Sequence, residues 1–401
     1  MSKVNRRQFF AGLGTGLAGL GLAAGRGGAL QAAPPEGASA VKDVKIRKYN
    51  PLGNTGIKTS DIIFGAGTLA SPNVARYAFD LGINVFDTAE GYMNGRSEEF
   101  LGTALKGVRD KCVIISKHFF GDRTPTPSTS KAALVEKVNA SLKRLNTDVI
   151  DILFIHGPSS MEIVEHPGLQ DAYAQLKKDG KVRFTGFSTH NAKVLLKESL
   201  KPGLKDFFQA VLFMYNHMEG KEIEPLIAEV RKQGVGTIAM KTLAGNKQDA
   251  LKAFVGTGMS YPQAAIAWVL SNPALDCAVL SMKTFAHVEE YVGASGRTVT
   301  RKDLAALRLY RNGAEHTYCR VTCDRCEKAC PNGVAISDIQ RFKMYYEDYG
   351  HERTALDHYR ALDPARSASP CAACAAPCAE ACPYGLDVRR DLVTAHELLA
   401  V

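Results

Sequence analysis

Between residues 45 and 310 the chain repeats one pattern, a short apolar run followed by a longer amphipathic stretch. The apolar runs fall at 61–65, 83–86, 112–116, 149–155, 182–187, 208–213, 236–240 and 277–280, eight in all. They are rich in Val, Ile and Phe, which suit strands buried on both faces, and helix-compatible segments separate them. Eight βα units in about 265 residues is the arithmetic of a TIM (β/α)8 barrel, so the expected fold class is α/β of that kind. An open doubly wound sheet is the alternative. Against it, no Gly-x-Gly-x-x-Gly follows the first run, and eight strands exceed what one dinucleotide-binding unit needs.

A barrel turns the C-terminal ends of its strands toward one mouth. Asp87 closes the second run, Lys117 the third and His156 the fourth, while Tyr92 lies in the loop after Asp87. One Asp or Lys in such a place is ordinarily a salt bridge or a solvated loop residue. Four titratable side chains at consecutive strand ends form a candidate catalytic constellation.

At these residues the chain resembles the aldo-keto reductases. Phe86-Asp87-Thr88-Ala89-Glu90-Gly91-Tyr92 and the following Arg96-Ser97-Glu98-Glu99-Phe100-Leu101-Gly102 are similar to that family's Asp–Tyr motif. Gly180-Lys181-Val182-Arg183-Phe184-Thr185-Gly186-Phe187-Ser188 is similar to a second signature, and Leu52-Gly53-Asn54-Thr55-Gly56 resembles the hairpin that closes the barrel floor. The resemblance implies nicotinamide-dependent carbonyl/alcohol interconversion. Tyr92 would be the general acid/base, Lys117 would lower its pKa, Asp87 would hold Lys117 charged, and His156 would orient the carbonyl oxygen.

For NADP(H) or NAD(H), the resemblance implies Gly67 and Thr68 after the first strand, and Ser188, Thr189 and Gln209 around the carboxamide. It further implies Tyr215 stacked under the ring, Lys241 and Leu243 at the pyrophosphate, and Ser281, Lys283, His287 and Glu290 at the adenosine end. The chain departs from the family pattern at Thr189-His190, where Ser is usually followed by Asn. It departs again at His287, where Arg or Gln is common, and at Tyr291. Without an Arg fork near Lys283, NADP is a family default.

Eight of the ten cysteines lie in the last quarter: Cys319, Cys323, Cys326 and Cys330 before Pro331, then Cys371, Cys374, Cys378 and Cys382 before Pro383. Such runs suit [4Fe-4S] clusters, two of them, and a proline after the last cysteine is a bacterial ferredoxin habit. Zinc would more usually show two C-x2-C knuckles with a longer gap, and disulfides are seldom packed so tightly in matching quartets. Whether each fourth cysteine serves its own cluster or the other is not legible at this level. Cys112 and Cys277 sit within apolar runs and read as buried core thiols. The whole C-terminal part, 311–401, resembles the ferredoxin-type region appended to a subgroup of aldo-keto reductases. The Tyr-rich stretch between the cysteine runs reads as solvated helix with packing aromatics.

Arg6-Arg7, then Phe9-Phe10, a Gly/Ala/Leu stretch and Ala38-Ser39-Ala40 resemble a twin-arginine export signal and linker over residues 1–40. The implied place is the periplasm or cell envelope, reached folded through the twin-arginine export machinery. The formal charge of +9 comes from scattered residues rather than a basic stripe, which gives nucleic-acid binding no support. The expected partners are a small carbonyl or alcohol substrate and a redox partner protein. A nicotinamide moves two electrons as hydride, whereas a cubane cluster moves one. An electron-transfer protein whose barrel serves as a docking module, and a cluster-stabilised binding protein without catalysis, therefore stand as alternatives.

Overall fold

Each of the eight apolar runs overlaps a strand. The computed structural model describes residues 44–120, 130–158, 161–190, 192–201, 207–244, 258–320, 323–349 and 352–401. A hairpin, β1 (Tyr49–Pro51) and β2 (Lys58–Ser60), precedes eight further strands. These are β3 (Ile62–Gly65), β4 (Val85–Asp87), β5 (Val113–His118), β6 (Ile150–His156), β7 (Val182–Thr189), β8 (Ala210–Met214), β9 (Gly236–Met240) and β10 (Cys277–Ser281). They pair in parallel in chain order, and β10 closes on β3 as a barrel. The expected export segment and Gly245 of the β9 loop lie outside the described residues.

Strand residues divide between two cores with a period of two. Ile63, Val85, Ile115, Ile152, Phe154, Leu212, Ile238 and Cys277 fill the barrel interior. Their neighbours Phe64, Phe86, Ile114, Leu153, Phe187, Val211, Phe213 and Ala278 pack outward against the helices. Each buried Val, Leu, Ile or Phe among them stabilises the fold by about 1.5–3 kcal/mol. At Gly186 of β7 only glycine fits, because a Cβ would stand 1.8 Å from the Ala210 carbonyl oxygen. Cys112 and Cys277 are buried core thiols.

The hairpin plugs the floor. Leu52 joins the barrel interior, the Gly53 amide donates to Asp276 Oδ2 at 2.9 Å, and the Asn54 amide donates to the Gly234 carbonyl at 2.7 Å. Gly53 sits at φ +50, where a Cβ would meet the Gly234 oxygen at 2.4 Å.

Beyond β10, the helix Arg301–Ala314 packs on the helix Tyr261–Leu270, with the Tyr261 and Tyr310 rings stacked at 4.1 Å. The rest of the chain forms a small helical core from Ile336–Glu347, Glu352–Arg360 and Val388–Leu399. Its halves repeat a short helix carrying a cysteine (Arg325–Lys328, Pro377–Glu380), a left-handed glycine and a long helix. Those glycines are Gly333 at φ +63 and Gly385 at φ +64, and glycine takes this conformation without steric penalty.

Candidate active site

The same period of two aims the strand-end residues. Asp87 shares the face of Val85, Lys117 that of Ile115, and His156 that of Phe154, so all three point into the mouth. Tyr92 reaches them from a tight turn, Tyr92–Gly95, in which Met93 (φ 54), Asn94 (φ 55) and Gly95 (φ 87) are all left-handed. Two non-glycine residues held there mark a strained segment of the kind that clusters at functional sites.

Lys117 Nζ lies 2.7 Å from each Asp87 carboxylate oxygen and donates to the Thr88 carbonyl at 2.8 Å. It also donates to the Tyr92 hydroxyl at 3.4 Å. Burial works against the Lys117 ammonium, but Asp87 and Tyr92 outweigh it and its pKa rises. Tyr92 departs from expectation: burial pushes its hydroxyl above the ordinary tyrosine value, more than Lys117 pulls it down. Its hydroxyl is a held proton rather than a preformed phenolate.

The His156 ring stands edge-on to Tyr92 at 5.6 Å and stacks on the half-exposed Phe119 at 4.6 Å. Burial first, and the Lys117 charge next, hold its pKa well below the usual histidine value, so it is neutral. Among the described residues, His156 Nδ1 and Thr68 Oγ1 are buried without a hydrogen-bond partner. Two such groups at one mouth suit a ligand that would satisfy them.

The expected cofactor residues divide. Gly67 lies against the Tyr92 ring, where a Cβ would make ordinary contact at 3.5 Å. Ser188 points inward, and its Oγ accepts from the Gly157 amide at 3.2 Å. Thr189 is buried and falls on the helix-side parity of β7. Lys241 follows β9 at φ +57, and its Nζ stands 4.6 Å from the Tyr345 ring. The Leu243 carbonyl accepts from the Tyr261 hydroxyl. Ser281 ends β10 and Lys283 lies just beyond it, both exposed, while His287 stacks on Tyr291 at 5.6 Å and Glu290 is half-buried.

Besides Thr189, two residues are not brought to the mouth. Gln209 precedes β8 at the floor end, where its Oε1 accepts from Lys177 Nζ at 2.8 Å and the Thr185 amide at 3.1 Å. Tyr215 has the parity of Val211 and Phe213, so it faces the helices. There it stacks on Trp268 at 5.3 Å and donates to Glu224 at 2.8 Å. The inward strand-end places on β8 and β9 belong instead to Met214 and Met240.

Aromatics outside the family-like motifs complete the mouth. Phe119 covers His156, and Tyr345 of the C-terminal region bonds His190 Nε2 at 3.1 Å. The Tyr-rich stretch around 345 was the only sequence signal for the latter contact.

The C-terminal thiols are all unbridged. Among the described residues no group of three or more His, Cys, Asp or Glu is placed to hold a metal ion. The thiols ring two cavities instead. One is lined by Cys319, Cys323, Cys326 and Cys382. The other is lined by Cys371, Cys374, Cys378 and Cys330. Burial pushes Cys326 up to about 12 and Cys371 to about 11.

A sequence model described as the Aldo/keto reductase family matches residues 68–255. A putative voltage-gated potassium channel subunit beta of Schizosaccharomyces pombe is 30% identical, over 61% of this chain and 76% of that one. The aldo-keto reductase AMT2 of Alternaria alternata is 30% identical, over 53% of this chain and 70% of its own length. Among solved structures, an aldo-keto reductase of Klebsiella pneumoniae in complex with NADPH aligns at a TM-score of 0.56. It covers 66% of this chain and 96% of that one at 23% identity, a likeness of fold.

Proposed function

The chain belongs to the aldo/keto reductase family and is an oxidoreductase of that type, and from that premise we propose that it interconverts a small carbonyl and its alcohol with a nicotinamide, Tyr92 acting as general acid and base. The observation that carries this reading is the Lys117 ammonium, fixed on Asp87 at 2.7 Å and reaching the Tyr92 hydroxyl at 3.4 Å. Bound nicotinamide supplies or accepts the hydride at the substrate carbon. Tyr92 gives its proton to the carbonyl oxygen, or takes it back from the alcohol, and Lys117 stabilises the phenolate left behind. Neutral His156 retains an N–H with which to meet the oxygen as charge develops.

For the cofactor, the buried unpartnered Thr68 Oγ1, inward Ser188, and the Lys241, Leu243, Ser281, Lys283, His287 and Glu290 rim fit a nicotinamide dinucleotide. NADP(H) is favoured over NAD(H) by Lys283 as a partner for a 2′-phosphate and by the NADPH of the Klebsiella protein. Replacing Tyr92 by Phe tests the assignment: kcat for carbonyl reduction with NADPH falls about 10²- to 10⁴-fold, at unchanged NADPH affinity. Turnover retained in that variant refutes the role.

The same proposal places a [4Fe-4S] cluster in each thiol cavity, on Cys319, Cys323, Cys326 and Cys382 in one and on Cys371, Cys374, Cys378 and Cys330 in the other. Support comes from the four-thiol rings and the Cys-Pro runs, where three ligands come from one run and the fourth from the other. Arg6-Arg7 and the segment to Ala40 favour folded export by the twin-arginine machinery to the periplasm or cell envelope. Substituting Lys for both arginines is expected to leave the protein in the cytoplasmic fraction.

The half-buried Cys319, Cys323, Cys330, Cys374 and Cys382 favour a second reading, electron transfer to a redox partner with the barrel as docking module. Under it, Cys326→Ser abolishes the principal activity while Tyr92→Phe does not.

A further inference from the structure

One helix, Ile336–Glu347, connects the thiol cavities to the barrel mouth. Ile336 lines both cavities and Gln340 lines the one containing Cys319. About 14 Å along the axis from Ile336, at 1.5 Å per residue, Tyr345 enters the mouth. It is buried, with its hydroxyl 3.1 Å from His190 Nε2. Its ring lies 4.6 Å from Lys241 Nζ, which also stands 5.4 Å from the Tyr349 ring. The Tyr349 carbonyl in turn accepts from Lys283 Nζ at 3.4 Å.

Each barrel residue in this contact sits at a strand end facing the mouth. His190 follows β7 with the inward parity of Ser188, and Lys241 follows β9 in a left-handed turn. A buried phenol needs a partner for its hydroxyl, and His190 meets that need inside the candidate pocket. A lysine facing tyrosine rings is held by the ring quadrupole, in the direction the rings dictate. Arg341, one turn before Tyr345, is 9% exposed and acts electrostatically on both Cys319 and His190.

We propose that Tyr345 is a positioning residue of the barrel site: its hydroxyl aims His190 and its ring aims Lys241, so the cysteine-bearing region completes the pocket. The inference rests on the nicotinamide-dependent reading of the barrel. It extends that reading by assigning one wall of the pocket to a residue outside the barrel. The order of the thiol region then reaches the pocket through Ile336–Glu347 while the Asp87–Lys117–Tyr92 contacts stay as they are.

The test compares wild type, Tyr345→Phe and Tyr345→Ala as full-length, anaerobically prepared holoprotein. The probes are NADPH with para-nitrobenzaldehyde, iron content, and the ring signals of nitrogen-15-labelled histidine. Tyr345→Phe is expected to raise KM about five- to tenfold, the scale of one hydrogen bond, with kcat within about twofold. Iron content stays at the wild-type level and the His190 ring signal moves. Tyr345→Ala, which also removes the ring from Lys241, raises KM further. Wild-type KM with an unmoved His190 signal in Tyr345→Phe overturns the proposal. So does a joint fall of kcat and iron content, which marks a scaffold role. If the wild type neither binds NADPH nor reduces the aldehyde, the functional reading falls. The His190 signal then decides the link alone, an unmoved signal overturning it and a shifted one supporting it.

Discussion

Lys117 is the residue on which the site depends most, because it is fully buried and its charge is matched by one carboxylate. Lys117→Met strands a buried Asp87 and is expected to destabilise the protein by about 3–5 kcal/mol in urea denaturation. Adding Asp87→Asn recovers much of that stability and none of the activity; equal stability of the single and double variants would refute the pairing. The buried histidines set a pH dependence. Burial, assisted by nearby cations, holds His156 and His190 well below the ordinary value, and burial with Arg311 places His217 at about 3. These rings stay neutral in the fold while the unfolded chain protonates near pH 6.5. Stability is therefore fully present well above pH 6.5 and falls as pH drops toward 5, at a slope approaching about 1.4 kcal/mol per pH unit for each ring. His217→Phe should flatten that slope measurably in denaturation midpoints taken across the window.

At the scale of the element, parity and level along a strand decide which side chains meet. Gln209 and Tyr215 carry suitable chemistry but lie at the floor end and on the outer face of β8. Tyr215→Phe is accordingly expected to leave NADPH affinity unchanged and to cost about 1 kcal/mol through the lost Glu224 hydrogen bond. A large rise in the NADPH Kd would return that ring to the cofactor. The β7–β8 contact at Gly186 is intolerant of any side chain. Gly186→Ala should destabilise the barrel by at least about 1–3 kcal/mol or prevent folding, as read by thermal unfolding.

For the whole molecule, the cysteine runs matter less as two units than as crossed halves. Under the proposed two-cluster reading, Cys382→Ser is expected to damage the same cluster as Cys319→Ser, and Cys330→Ser the same one as Cys371→Ser. Iron content and electron paramagnetic resonance of the four variants separate these pairs. Grouping by run, with Cys330 beside Cys319, would refute the crossed assignment. Tyr345 works at the same scale, since it joins residues far apart in the chain, His190 and the helix that starts at the cavities.

The amino-acid sequence by itself determined the eight strands, because burial on both faces writes each as a continuous apolar run. It also determined the strand-end group Asp87, Lys117 and His156, because a barrel brings consecutive strand ends to one mouth. Local hydrophobic pattern and chain order suffice for both. Only the tertiary structure decided that Tyr215 turns outward, that burial outweighs Lys117 at Tyr92, that each fourth cysteine lines the other run's cavity, and that Tyr345 meets His190. Each of these depends on strand register, on local dielectric or on contacts between distant segments. None of these is encoded in the spacing of nearby residues.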